Sequence, residues 1–254
     1  MMILRRDRGL VQASRSRRKT PVQEAHDASR TNRRGSDEQK RSHDWKLGTW
    51  NCRSLKFDGS IRILSDILRV RKFSIAALQE VCWIGPEEVR EYKRLGCTIY
   101  QSSGEKKEKR LGTAFIVLGD MRERVIGWCP IDERMCRLRI RGRFFNISII
   151  NVHSSHSGSE DDDRDAFYEQ LERTYNSCPK HDVKIVIGDF NAQVGQEDEF
   201  RPVIGKFSAH QRTNENGLRL IDFATSKNMA VRSTCFQHNL RDKYTWRSPL
   251  GTQS

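Results

Sequence analysis

The spacing of apolar residues in the first part of the chain beyond residue 46 predicts two short strands with a helix between them. Apolar runs over 47–51 and 74–80 each end in polar side chains, as strands that stop at the rim of a sheet do. Between them, Ser60 is a candidate helix N-cap. Apolar residues then recur at helical spacing, at Ile61, Leu64, Ile67 and Leu68.

The middle of the chain is rich in strand patterns. Apolar and β-branched residues indicate strands over 111–118, 124–128, 136–141 and 143–151. The tripeptide Arg141-Gly142-Arg143 predicts a tight hairpin between the last two of these strands.

The last third returns to alternating helices and strands. Acidic residues from Asp161 onward suit a helix amino terminus, and an apolar strand follows over 183–187. A further helix is predicted over 217–227 and a strand over 244–247. Helices interspersed with both crossover strands and hairpins predict an α/β fold with mixed sheets.

Residues 1–45 differ in composition from residues 46–254. The segment has few aromatic or β-branched residues, which predicts a disordered basic tail ahead of a domain over 46–254. Twelve Lys and Arg against six Asp and Glu give it +6 of the chain's net charge of +13, which leaves +7 for the domain. Such charge favours a phosphate-rich partner. The basic patch at 15–19 suits either nuclear import or a solvated tail without that role.

Two features of the sequence indicate the compartment. No apolar stretch approaches the roughly 20 residues that cross a bilayer, and the first residues lack the apolar segment of a secretory signal. The seven cysteines contain no Cys-x-x-Cys pair, which indicates free thiols in a reducing environment. We therefore expect an intracellular protein that has no membrane partner, with the nucleus as one possible location.

Polar side chains at three predicted strand ends are the candidate chemistry. They are Asn51, Glu80, Asp189 and Asn191. In open α/β sheets, sites gather beyond the carboxyl ends of strands, so these residues can converge on one rim. Oxygen ligands of this kind suit magnesium. Taken singly, each residue also has a simple structural interpretation, as a turn residue or an exposed strand-end charge.

Taken together, the motifs Trp50-Asn51, Gln79-Glu80 and Gly188-Asp189-Phe190-Asn191 resemble those of the endonuclease/exonuclease/phosphatase family. Within the family, the chain is most similar to the endonuclease domains of non-LTR retrotransposons. That likeness is carried by residues 167–171, 180–191, 216–223 and 244–249.

The resemblance implies a two-sheet α/β sandwich with flanking helices that cleaves DNA phosphodiesters with Mg²⁺ or Mn²⁺. It implies that Glu80 is the main metal ligand with Asn51 beside it. Asp189 would orient or deprotonate the attacking water, and Asn191 would hold a phosphate oxygen. Where many relatives carry Tyr, this chain has His153, which either donates to the phosphate or is a loop histidine without a catalytic role.

The sequence also departs from the family pattern. The family closes its site with a later strand that bears Asp and with a terminal Asp-His pair, and no such pair follows the predicted strand over 244–247. The resemblance therefore predicts a sandwich that lacks its last strands, with unpaired sheet edges and weak or absent activity. Two alternatives remain open, a non-catalytic nucleic-acid-binding protein and a phosphatase of the same fold.

Overall fold

A computed structural model describes residues 1–5, 45–85, 88–104, 111–155 and 160–237. Its strands are β1 (Met2–Arg5), β2 (Leu47–Asn51), β3 (Ile75–Gln79), β4 (Glu88–Tyr92), β5 (Cys97–Ser102), β6 (Thr113–Leu118), β7 (Val125–Asp132), β8 (Met135–Ile140), β9 (Ile147–His153), β10 (Val183–Asp189) and β11 (Met229–Val231). Its α-helices are α1 (Ser60–Val70), α2 (Asp161–Ser177) and α3 (Glu215–Ser226).

The strands form two mixed sheets. The six-stranded sheet has the order β11-β1-β10-β9-β8-β7, and the five-stranded sheet has the order β2-β3-β6-β5-β4. One pair in each sheet is parallel, β9 with β10 and β2 with β3, and the other pairs are antiparallel. The predicted two-sheet α/β sandwich with flanking helices is confirmed.

Three apolar clusters separate the layers. Between the two sheets, Ala77 and Phe115 of one sheet pack with Ile149 and Ile187 of the other. Two further clusters lie on the outer faces of the sheets. The outer face of the five-stranded sheet packs against α1, and that of the six-stranded sheet packs against α2 and α3. Each sheet is therefore buried on both faces, which explains the nearly continuous apolar runs in β3 and β6.

The alternation along β9 places polar groups in the layer between the sheets. Ile150 and Val152 pack in the cluster with the helices, whereas Ile149 packs between the sheets. Because side chains alternate with a period of two, Asn151 and His153 share the inter-sheet side of the strand with Ile149. Asn151 is completely buried there.

Strand β1 is a feature that the sequence pattern did not predict. It lies between β10 and β11 and pairs antiparallel with both, with Ile3 opposite Val186 on one side and Val231 on the other. Ile3 is fully buried in the cluster that the helices cover. Residues 2–5 therefore form a strand, whereas the sequence predicted disorder throughout residues 1–45. Residues 6–44 lie outside the described residues. β10, which carries Asp189, is not at a sheet edge.

Several local predictions were wrong. The connection between β8 and β9 spans residues 141–146 instead of a three-residue hairpin, because β9 begins only at Ile147. Ser60 is the first residue of α1, and its hydroxyl donates to the Leu55 carbonyl instead of capping the helix. β4 and β5 were not predicted, and the strand expected at 244–247 lies outside the described residues.

No helix in the described part of the chain is long and apolar enough to cross a membrane. The seven cysteines are all free thiols.

Candidate active site

Four strand ends bring four polar side chains to one rim of the sandwich. Asn51 ends β2, and Glu80 directly follows β3 in the five-stranded sheet. His153 ends β9, and Asp189 ends β10 in the six-stranded sheet, where the two residues are register partners. Since both pairs of strands are parallel, their carboxyl ends share an edge. The sheets pack so that the two edges meet.

The side-chain amide of Asn51 joins the two carboxylates of this rim. Its Nδ2 donates to Oε1 of Glu80 at 2.8 Å and to Oδ2 of Asp189 at 3.1 Å. Its Oδ1 accepts from the backbone N–H of Arg53 at 3.2 Å, which fixes the orientation of the amide. One carboxamide thus holds carboxylates from both sheets at a single point.

His153 completes this group of side chains. Its Nε2 lies 3.8 Å from Oε1 of Glu80, and only 7% of the His153 side chain and 14% of the Glu80 side chain are exposed. The Glu80 carboxylate therefore contacts both Asn51 and His153. Limited exposure strengthens such electrostatic contacts relative to those of surface groups.

The backbone is strained at two positions of the site. Glu80 has a φ of 52° and Asn191 a φ of 46°, in the left-handed region that non-glycine residues seldom adopt. Such conformations cost about 1 to 3 kcal/mol each and concentrate at functional sites. Asn191 lies beyond the end of β10, so an extended strand does not align it with Asp189. A turn brings them together, in which the Asn191 N–H donates to Oδ1 of Asp189 at 3.1 Å.

Asn191 also anchors the segment that follows His153. Its Nδ2 donates to the carbonyl of Ser154 at 2.8 Å, and the Ser154 N–H donates to the carbonyl of Asp189 at 2.9 Å. Asn216, at the start of α3, donates to the carbonyls of Asn191 at 2.9 Å and Ser155 at 3.3 Å. The backbone on both sides of the rim is therefore held by two amides, the half-buried Asn191 and the buried Asn216. An amide carries two N–H groups, so Asn191 retains a second donor hydrogen.

Gly188 explains why a glycine precedes Asp189. Its φ is 150°, and an added Cβ would lie 2.0 Å from the carbonyl oxygen of Val152. Only glycine permits β10 to approach β9 this closely. The close approach sets the separation of Asp189 from His153.

A buried polar network below the rim was missed by the sequence analysis. Gln79 donates to Oδ1 of Asn151 at 2.6 Å and accepts from the Thr49 hydroxyl at 3.1 Å. Asn151 donates in turn to the carbonyls of Leu78 and Ala114, both at 2.9 Å. The signal in the sequence was the single polar residue within the apolar run Ile149-Ile150-Asn151-Val152.

The thiol closest in sequence to the site is not a nucleophile. Burial, together with the nearby Glu80 carboxylate and Cys82, raises the pKa of Cys52 to about 12. The thiol is therefore protonated at neutral pH, and a thiol is a weak nucleophile compared with a thiolate. Oxygen and imidazole groups are the chemistry that this rim offers.

The donor set fits a magnesium ion that keeps most of its waters. Mg²⁺ in proteins is commonly bound by one or two carboxylates with water in the remaining positions. Glu80 and Asp189 supply two carboxylates joined through Asn51. Among the described residues, no group of three or more His, Cys, Asp or Glu side chains is arranged to hold a metal. Two carboxylates are suited to an ion that keeps water in its remaining coordination positions.

Comparison with known proteins identifies the family to which this chain is similar. The family model described as "Endonuclease/Exonuclease/phosphatase family" matches residues 48–252. Craniofacial development protein 2 of Bos taurus is 32% identical over 208 residues, which cover 82% of this chain and 34% of that protein. The chain therefore spans about a third of the length of this relative.

Solved structures share the fold at lower identity. AP endonuclease LMAP from Leishmania major has a TM-score of 0.51 at 14% identity, covering 72% of this chain and 67% of that one. The endonuclease domain of TRAS1, a telomere-specific non-LTR retrotransposon, has a TM-score of 0.48 at 17% identity, covering 72% of each chain. At these identities, the likeness concerns the fold alone.

Proposed function

The chain belongs to the endonuclease/exonuclease/phosphatase family, and from this premise we propose that it hydrolyses DNA phosphodiester bonds with a divalent cation, Mg²⁺ or Mn²⁺. One observation carries the proposal. The Asn51 amide binds Glu80 at 2.8 Å and Asp189 at 3.1 Å, so carboxylates from two sheets meet beside the imidazole of His153. The net charge of +13 supports DNA as the substrate, because a basic protein attracts a polyanion.

Each residue of the rim has a distinct role in this proposal. Glu80 holds the cation with Asn51 beside it. When bound, the cation supplies Lewis-acid polarisation of the phosphate and neutralises developing charge. Asp189 orients the attacking water and takes its proton as the bond from water to phosphorus forms and the bond to the leaving oxygen breaks.

Two further side chains contact the phosphate in the proposal. The second N–H hydrogen of Asn191 donates to a non-bridging oxygen, while the first holds the Ser154 carbonyl. His153, when protonated, donates to the phosphate from β9, the strand next to β10 in the same sheet. Preorganised donors of this kind are worth about two to three orders of magnitude in rate each.

Plasmid nicking is a sensitive assay for this proposal, because one hydrolysed phosphodiester bond is enough to relax a supercoiled plasmid.

The test is the nicking of supercoiled plasmid in 5 mM MgCl₂, with EDTA in place of magnesium as the metal-free control. We expect magnesium-dependent nicking by the parent chain and a loss of about 10²-fold or more in Glu80→Gln and in Asp189→Asn. Asp66→Asn, at an exposed carboxylate of α1, is the matched control and should nick like the parent chain. Equal rates in the parent and Glu80→Gln would remove the nuclease proposal.

The same preparations address the two alternatives. A non-catalytic nucleic-acid-binding protein would bind the plasmid but would show no nicking that depends on Glu80. A phosphatase would release phosphate from a 3′-phosphorylated oligonucleotide, dependent on Glu80, while leaving the plasmid supercoiled.

A further inference from the structure

The loop between β8 and β9, residues 141–146, is an exposed group of aromatic and basic side chains. Phe144 is 80% exposed and Phe145 is 51% exposed. Arg141 and Arg143 are exposed as well, and the Arg143 guanidinium carbon lies 5.2 Å from the centre of the Phe144 ring. Large apolar side chains rimmed by charge at a surface commonly mark an interaction site.

This loop is held firmly at both ends. The Arg141 N–H donates to the carbonyl of Arg124 at 2.7 Å, and the Asn146 carbonyl accepts from the Val183 N–H at 2.8 Å. Within the loop, a Cβ added at Gly142 would lie 1.9 Å from the Phe145 carbonyl oxygen. The two phenylalanines are therefore presented by a tightly folded loop with a fixed backbone.

The charge of the surroundings is positive. Arg124, Arg141 and Arg143 are exposed and have no ion pair within the part of the chain that the structure describes. The exposed acid next to them in sequence is Glu123. The nearby Asp182 is buried and already neutralised by Arg139. Three exposed arginines without an ion pair among the described residues favour the approach of a polyanion.

The loop lies far from the candidate active site. It precedes β9, whose first residue is Ile147, whereas His153 is the last residue of the same strand. Six residue steps at about 3.3 Å each separate the two by roughly 20 Å. A ligand of the loop is therefore bound outside the catalytic rim.

We propose that the 141–146 loop is a second binding site of this protein, specific for single-stranded DNA. Unpaired bases stack on Phe144 and Phe145, and Arg124, Arg141 and Arg143 neutralise the phosphates of the same strand. Exposed rings stack on bases only where the base faces are accessible. In a duplex the neighbouring base pairs cover those faces, which gives the preference for single strands. The choice of DNA rests on the proposed function. An anionic membrane surface also suits exposed Phe and Arg, and vesicle binding distinguishes it from single-stranded DNA.

The test measures binding of fluorescein-labelled dT15 and of a 15-base-pair duplex by fluorescence anisotropy. The full chain is used in EDTA, so that the result does not depend on cleavage. Phe144→Leu with Phe145→Leu keeps apolar surface and removes the rings, and we expect dT15 binding to weaken about fivefold or more, with duplex binding changed less than twofold. Unchanged dT15 affinity in this variant would overturn the proposal.

The arginines are tested through the dependence on salt. For a single strand, the slope of log K against log[NaCl] is about −0.7 for each neutralised phosphate. Arg141→Ala with Arg143→Ala should therefore make the slope shallower by about 1.4. Arg62→Ala with Arg69→Ala, two exposed arginines of α1, carries the same charge change and should leave the slope as in the parent. Equal slopes of log K against log[NaCl] in the two double variants would contradict the proposed binding site at residues 141–146.

A membrane role gives a different result. Sedimentation with phosphatidylserine vesicles would then be lost in Phe144→Ala with Phe145→Ala but retained in the leucine variant, while dT15 affinity stayed constant. That outcome would replace single-stranded DNA with a lipid surface. Failure of the plasmid-nicking test leaves this site untouched, because the anisotropy measurement contains no catalytic step.

Discussion

The carboxamides of Gln79 and Asn151 meet between the two sheets, where Gln79 Nε2 donates to Asn151 Oδ1 over 2.6 Å. Both side chains are almost completely inaccessible to solvent. Asn151 also donates to the carbonyls of Leu78 and Ala114 at 2.9 Å. The network ties β3 to β9 directly below the strand ends that carry Glu80 and His153. It therefore fixes how the two halves of the rim face each other.

Asn151→Ala should destabilise the protein by about 3 kcal/mol. The change leaves the Gln79 amide and two buried carbonyls without their hydrogen-bond partner, and each unsatisfied buried group costs about 1 to 3 kcal/mol before relaxation. Urea unfolding measures the difference in free energy at constant m. Asn176→Ala, an exposed position on α2, should stay within about 0.5 kcal/mol of the parent. A loss below 1 kcal/mol for Asn151→Ala would show that the network does not join the sheets.

Asp182→Asn should destabilise the protein at neutral pH by about 1 to 3 kcal/mol. The buried Asp182 carboxylate accepts from Arg139 at 2.7 and 2.9 Å and from the Ser148 hydroxyl at 2.7 Å. Burial raises the pKa of Asp182, but hydrogen bonds from Arg139 and Ser148 and the charge of Arg139 outweigh it and hold the pKa below its usual value. The ionised form is therefore the one that stabilises the fold.

The lowered pKa of Asp182 also determines how its contribution to folding stability depends on pH. A carboxyl whose pKa is lowered by folding stabilises the protein above its unfolded pKa, about 3.9, and this contribution is lost as pH falls through the lower folded value. The difference between the parent and Asp182→Asn should thus be constant from pH 7 to 5 and shrink below about pH 4. Asp66→Asn, an exposed carboxylate of α1, serves as the control. A difference that persists undiminished at pH 3 would rule out the ionised carboxylate as its source.

Ile3→Asp should release β1 from the six-stranded sheet. Ile3 is fully buried between Val186 of β10 and Val231 of β11, and an unpaired charge at such a position is strongly unfavourable. Hydrogen exchange should then accelerate at amides of residues 185–187 and 229–231. Ile3→Val removes one methylene and should cost only about 1 kcal/mol without this acceleration. Parent-like exchange in Ile3→Asp would mean that β1 does not protect these strands.

The sequence allowed prediction of the elements whose pattern is local. β3, β6 and β10 are apolar because both faces of their sheets are covered, and α2 is marked by Phe167, Leu171 and Tyr175 on one face. The same apolar runs predicted that Asn51, Glu80 and Asp189 lie at strand ends. Their convergence is a consequence of the two parallel strand pairs.

Features that depend on pairing between residues distant in sequence could not be predicted from local patterns. β4 is mostly exposed and carries no apolar alternation, so its strand conformation comes from pairing with β5. β1 has four residues, and its partner Val186 is more than 180 residues away in sequence. Phe144 and Phe145 were read as part of a strand because buried strands contain such residues, whereas here they are exposed in a loop.

Asn51→Asp should convert the rim into a site whose stability depends strongly on magnesium. The substitution replaces the donor that holds Glu80 and Asp189 with a third carboxylate, so repulsion and lost hydrogen bonds should destabilise the metal-free protein by about 2 to 3 kcal/mol. A cation offsets that repulsion. Because a ligand stabilises the folded state in proportion to RT ln(1 + [L]/Kd), a third oxygen ligand that lowers Kd must enlarge the magnesium effect.

Thermal unfolding in EDTA and in 10 mM MgCl₂ measures this effect as a shift in Tm. The shift should be larger in Asn51→Asp than in the parent chain, and NaCl of equal ionic strength should not reproduce it, because screening alone provides no ligand site. Asn51→Ser separates the two contributions, since it removes the amide without adding charge, and it should show a smaller magnesium shift than Asn51→Asp. If magnesium raised the Tm of all three proteins equally, the cation would be binding away from Asn51, and Glu80 and Asp189 would have to be assigned a role without metal.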